Sequence, residues 1–138
     1  MEWITAKTDW TAEDVFNAVD YNRIKNNINY VADRLSGKYD ISIMDMGEDL
    51  SYEAYPNASQ LSLFPRNLSI INNSSYQLIT IEDKVYSDND IAPNYNEWNR
   101  IESALDMFRT FYKSEEEYIP HLDFRLGNYK MLGKRIGG

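Results

Sequence analysis

Asn17-Ala18-Val19-Asp20-Tyr21-Asn22-Arg23-Ile24 and Asn94-Tyr95-Asn96-Glu97-Trp98-Asn99-Arg100-Ile101 align when the sequence is shifted by 77 positions. Four positions are identical, and Asp20/Glu97 and Tyr21/Trp98 preserve acid and aromatic character. The match continues as Ile28 against Leu105, Val31 against Phe108 and Leu35 against Tyr112. Apolar residues recur after the motif at intervals of three and four, the period that lines one face of a helix. The repeat therefore predicts two helices with the same apolar seam, over 17–35 and 94–112.

The first helix has two candidate starts. Thr11 followed by Glu13 and Asp14 resembles a cap with acids near the positive helix end, and Asp20 offers a second start after a break near Asn17. Gly37 is the expected stop, because glycine enters the left-handed conformation without a steric penalty. Tyr39-Asp40-Ile41-Ser42-Ile43 alternates apolar and polar residues, as a short strand or an extended linker does. Residues 44–58 lack a clean period and read mostly as loop. A further helix is expected from Pro65 to Lys84, on Leu68, Ile71, Leu78 and Ile81, with Pro65 in the first turn, where its missing N–H is harmless. Asn72-Asn73-Ser74-Ser75 is a weak centre for it, since these side chains compete for backbone hydrogen bonds. The helix carrying the second motif is expected to start near Asn94 and end between Lys113 and Tyr118, before Pro120. Leu122, Phe124 and Leu126 then alternate, as in an extended arm.

The fold class is thus mainly α. It is a small bundle of about three long helices with irregular loops, room for a short strand pair, and an extended C-terminal arm. In domain terms, 1–121 form the helical body and 122–138 a basic, glycine-containing arm. The length of 138 residues suits one such body.

Composition excludes several chemistries. With no cysteine there is no disulfide, thiolate metal site or cysteine nucleophile. No apolar run approaches the roughly 20 residues of a membrane helix, and Met1-Glu2-Trp3 does not begin a secretory signal. Synthesis in a bacterial cytoplasm is the corresponding expectation, AT-rich codon usage being suggested by the abundance of Asn, Ile and Tyr. Net charge is −8, yet the fourteen residues from Arg125 to Gly138 hold four bases and no acid, so the other 124 carry −12. An acidic body disfavours nucleic acid. Arg125, Lys130, Lys134 and Arg135, set among Tyr129, Met131, Leu132 and Ile136, suit an acidic protein surface, with a solvated end as the plain alternative.

No catalytic, cofactor or metal site emerges. His121 is the lone histidine and has no serine set for it by a nucleophile turn. Asp88-Asn89-Asp90 opens like a calcium loop but has Ala92, Pro93 and Asn99 where an oxygen ligand, glycine and acid are required. Gly127 to Arg135 has five residues between its glycines and no hydroxyl where a phosphate loop needs one. No pair among the acids is singled out for glycosidic chemistry. The chain is accordingly read as not an enzyme.

The repeat itself has two readings. In the first, Tyr21, Ile24, Trp98 and Ile101 pack inward while Asp20–Arg23 and Glu97–Arg100 are surface pairs worth about 0.2–0.5 kcal/mol each. In the second, Asn22, Arg23, Asn99 and Arg100 contact another chain, which arginine's rigid fork suits. The stretch Trp10-Thr11-Ala12-Glu13-Asp14-Val15-Phe16-Asn17-Ala18-Val19-Asp20-Tyr21-Asn22-Arg23-Ile24-Lys25-Asn26-Asn27-Ile28 resembles the opening helix of small tail- and baseplate-associated structural proteins in phages of Gram-positive bacteria. That resemblance covers about a seventh of the chain. It implies a non-enzymatic assembly subunit of a phage tail, baseplate or related injection particle. The implied partners are other particle subunits and further copies of the chain, with assembly into a virion or tail-like particle. An alternative is a carbohydrate- or host-surface-binding module using loop aromatics such as Tyr52, Tyr55 and Tyr95. An acidic mimic of nucleic acid ranks third.

Overall fold

Asparagine caps set the architecture. In the computed structural model, which describes residues 2–75 and 94–126 and side chains as far as 114, helix α1 spans Ala18–Leu35, α2 Ala58–Ser74 and α3 Tyr95–Leu126. No strand occurs among the described residues. The chain divides into two compact units, Met1–Phe108 and Arg109–Gly138. The first contains α1, α2 and the start of α3, and the described part of the second is the remainder of α3.

Each helix follows an Asn whose side-chain oxygen accepts first-turn amide protons. Asn17 accepts from Val19 and Asp20 at 3.0 and 3.3 Å, Asn57 from Gln60 at 2.8 Å, and Asn94 from Asn96 and Glu97 at 3.0 and 3.2 Å. Asp20 and Gln60 return the bond to the backbone N–H of Asn17 and Asn57, completing two capping boxes. Asn17→Ala should therefore cost about 1 kcal/mol, read as a lower urea midpoint at unchanged slope.

Several boundaries differ from those expected. Thr11 does not cap α1. It closes a turn of its own, accepting the Asp14 N–H at 3.1 Å and donating its N–H to the Asp14 carboxylate at 2.8 Å. The helix ends at Leu35, where the Ser36 N–H reaches the Ala32 carbonyl at 2.9 Å. Gly37 is not left-handed; among the described residues that conformation belongs to Gly47, with φ 77°. Residues 39–43 form no strand and run as irregular backbone. The capping box at Asn57 and Gln60 starts α2 well before Pro65, which lies inside the helix, and α2 ends in the Asn/Ser cluster, at Ser74. Leu78 and Ile81 lie outside the described residues. Helix α3 continues through Pro120 and includes Leu122, Phe124 and Leu126. A proline removes one backbone bond, and the bonds on either side can carry the helix onward.

The cap asparagines expose a third copy of the repeat. Counting from Asn17, Asn57 and Asn94, the seventh residues are Ile24, Phe64 and Ile101; the eleventh are Ile28, Leu68 and Leu105; the fourteenth are Val31, Ile71 and Phe108. All nine are buried. The helices meet through them and neighbouring rings: Tyr21 lies 5.1 Å from Phe64, Phe64 6.5 Å from Trp98, and Phe16 stacks on Trp98 at 4.0 Å. The interval of 77 is thus two steps of nearly equal length, from Asn17 to Asn57 and from Asn57 to Asn94.

Candidate interaction surface

The extended segments before α1 and α2 would leave backbone N–H and C=O groups unpaired, and with no strand among the described residues asparagine side chains pair them. An amide side chain carries one acceptor and one donor group and can imitate a neighbouring strand. Asn27 accepts the Ile4 N–H at 3.0 Å and donates to the Ile4 carbonyl at 2.8 Å. Asn67 does the same to Met44 at 2.8 and 3.0 Å, Asn22 to Leu50 at 2.8 and 3.0 Å, and Asn99 to Trp10 at 2.8 and 3.0 Å.

These clasps repeat in register. Asn27 and Asn67 each lie 23 residues after the residue they hold, so each helix binds its own preceding segment. Asn22 and Asn99, both five residues after a cap asparagine, bind Leu50 and Trp10, both seven residues before one. Here α1 holds the segment leading into α2, and α3 holds the segment leading into α1. The two relations order the helices as α3, α1, α2, and the approach of Phe64 to Trp98 at 6.5 Å brings α2 against α3 as well. The turns match too: Asp14 N–H to Thr11 carbonyl at 3.1 Å and Ala54 N–H to Ser51 carbonyl at 2.9 Å occupy equivalent places. So do the two side chains eight residues past a cap: the Lys25 amine donates to the Gly47 carbonyl at 2.8 Å, and the Glu102 carboxylate accepts the Lys7 N–H at 3.0 Å.

Glu102 anchors the centre. Fully buried, it also accepts the Trp10 indole N–H at 2.6 Å and two N–H groups of Arg23, from Nε at 2.8 Å and Nη2 at 2.7 Å. Arg23 spans from there to Asp20 at 2.9 Å, so the expected Asp20–Arg23 pair exists but is largely withdrawn from solvent. Burial opposes the charge on Arg23, and the hydrogen bonds and charges of Glu102, then Asp20, outweigh it, holding the guanidinium above its ordinary value.

Most of the residues expected to reach a partner through the motif are therefore turned inward. Asn22, Arg23 and Asn99 bind Leu50, Glu102 with Asp20, and Trp10 of their own chain. Arg100 is exposed. Arg125 falls on the last turn of α3, and Lys130, Lys134 and Arg135 lie outside the described residues.

What the first unit does present is a groove of about 510 Å³ where the three helix starts converge. Residues 10–12 and 14–16 contribute one wall, Tyr55 a second, and Asn94, Tyr95 and Trp98 a third. Trp10 and Trp98 are buried beneath it, while Val15 and Tyr55 are each 69% exposed and Tyr95 39%. Two of the loop aromatics noted in the sequence, Tyr55 and Tyr95, thus share one site; Tyr52 is exposed but does not line it. Asp14 lines the groove, with Glu13 and Glu53 exposed in the adjoining turns. The Thr11 backbone N–H, and more weakly the Lys7 charge, hold the Asp14 carboxyl below its ordinary value of 3.8, outweighing desolvation. A lowered folded value means that Asp14's stabilising contribution is in place above the ordinary carboxylate pKa and fades as pH falls through the lowered one. Asp14→Asn should accordingly shallow the acid limb of the stability profile below about pH 4, measured by urea midpoints across that range.

No protein-family model, curated protein or solved structure matches the chain. Among the described residues there is no cluster of metal-binding side chains and no helix long and apolar enough to cross a membrane.

Proposed function

We propose that the chain is a non-enzymatic structural or assembly subunit of a phage tail, baseplate or related contractile or injection particle, acting through protein–protein contacts. The supporting observation is where the phage-like stretch Trp10 to Ile28 falls in the fold. It contains Trp10, which Asn99 and Glu102 hold, and Asn22, Arg23 and Asn27, which hold Leu50, Glu102 and Ile4. Its polar residues thus hold the chain's own fold, which leaves contacts with other subunits to the surface beside it. The groove beside the stretch supplies an exposed apolar surface for a contact. Gradient-purified particles from a bacterium carrying the gene should contain the chain in stoichiometric amount by mass spectrometry. Intact particles without it would refute the reading.

A second reading, a carbohydrate- or host-surface-binding module, is favoured by Tyr55 and Tyr95 in one groove, since tyrosine faces can stack on sugar rings. Glycan-array binding lost in Tyr55→Ala and Tyr95→Ala would support it over the first.

A further inference from the structure

We propose that the groove at the convergent helix starts receives the basic C-terminal segment of a neighbouring copy of the chain. The inference rests on reading the chain as an assembly subunit and names the contact that such a subunit makes.

The groove's chemistry and the segment's chemistry correspond. Trp10, Phe16 and Trp98 form an aromatic floor, and Val15, Tyr55 and Tyr95 expose apolar surface beside it. Asp14 in the wall is paired with Lys7 at 3.5 Å, and the exposed Glu13 and Glu53 of the adjoining turns leave the surroundings acidic on balance. Residues 127–138, beyond the described part of α3, bring Tyr129, Met131, Leu132 and Ile136 interspersed with Lys130, Lys134 and Arg135, with no acid among them. Apolar side chains can fill the groove while the interleaved cations meet its acids. A groove of about 510 Å³ takes a few side chains of such a segment. Nucleic acid meets the wrong charge at Glu13 and Glu53, and a neutral sugar makes no use of them. Because groove and segment are different surfaces, the contact is heterologous and propagates from copy to copy, forming a ring where its rotation closes and a filament where it does not.

Sedimentation of the full-length chain over a range of concentrations tests this. The chain is expected to self-associate, and the association should weaken as salt rises. Tyr55→Ala with Tyr95→Ala should weaken it by about tenfold or more, roughly 1.4 kcal/mol. Two charge-reversed chains should each be monomeric: one carrying Glu13→Lys and Glu53→Lys, the other Lys130→Glu, Lys134→Glu and Arg135→Glu. Mixed, they should associate again, because each reversed surface meets its complement. Retained helicity of each chain by circular dichroism excludes unfolding as the cause. A wild-type chain that is monomeric at millimolar concentration overturns the proposal, as does association indifferent to both reversals or a mixture that fails to recover. A glycan that binds the groove without affecting self-association overturns it too. These results are independent of whether particles contain the chain, so the contact and the broader reading can fail separately.

Discussion

Glu102→Ala should lower the folding free energy by about 3–5 kcal/mol, the usual consequence of removing one member of a buried ion pair. Arg23 would keep Asp20 but lose the carboxylate that meets two of its N–H groups, and the Trp10 indole and the Lys7 amide would lose their acceptor. A domain of this size is stable by only about 5–15 kcal/mol, so the loss takes a large share of the total. Glu102→Gln should be nearly as harmful, because its NH₂ group would face donors. Arg23→Met with Glu102→Met should recover only the part of the loss due to the unpaired Arg23 charge, since the Trp10 indole, the Lys7 amide and Asp20 still lack the partners they had. Urea denaturation of the two single variants and the double variant measures the coupling. Independent, additive losses would mean that the pair does not act as a unit.

The second large effect is expected at the clasps. Asn67 is fully buried and gives both of its polar ends to Met44. Asn67→Ala removes two hydrogen bonds and leaves the Met44 backbone groups less well paired; each costs about 1–3 kcal/mol, and because Met44 is 42% exposed and regains some water the loss should fall at about 2–4 kcal/mol. Asn67→Asp is the sharper variant. Its carboxylate still accepts the Met44 N–H but presents an oxygen, and a buried charge, to the Met44 carbonyl. Its folded pKa should therefore be raised, and a raised pKa places the missing stability at high pH. The defect should shrink as pH falls and the protonated acid can donate in place of the lost NH₂ group. A defect independent of pH would argue against the reciprocal bond.

Much of the helical framework was legible in the sequence. The spacing from Trp98 through Ile101, Leu105 and Phe108 marks the buried face of α3, and the shared motif marks α1. Even Glu102 left a signal: four residues after Trp98 and three before Leu105, it is an acid on an apolar face, which demands a buried partner. The third copy of the repeat was harder to see. Where α1 and α3 have Asn22-Arg23 and Asn99-Arg100, α2 has Ser62-Leu63, so identity fails while burial persists at Phe64, Leu68 and Ile71. The cap asparagines with Asp20, Gln60 and Glu97 three residues later carry that register, and Pro65 obscured it by resembling a first turn. The clasps were not legible, because half of each is a backbone group, which every residue possesses. Asn22 and Asn99 looked like surface residues with spare hydrogen-bonding capacity. Only the approach of Leu50 and Trp10 shows where that capacity goes.

Asparagine side chains turned onto backbone groups should leave a signature in amide hydrogen exchange. Ile4 and Met44 lie in irregular segments and are 45% and 42% exposed, yet their N–H groups, like those of Trp10 and Leu50, donate to clasping side chains. The four amides should exchange as slowly as those in the middle of α1, and Asn67→Ala should release Met44 selectively. Exchange of all four at the rate of free loops would show that the asparagines do not clasp these segments.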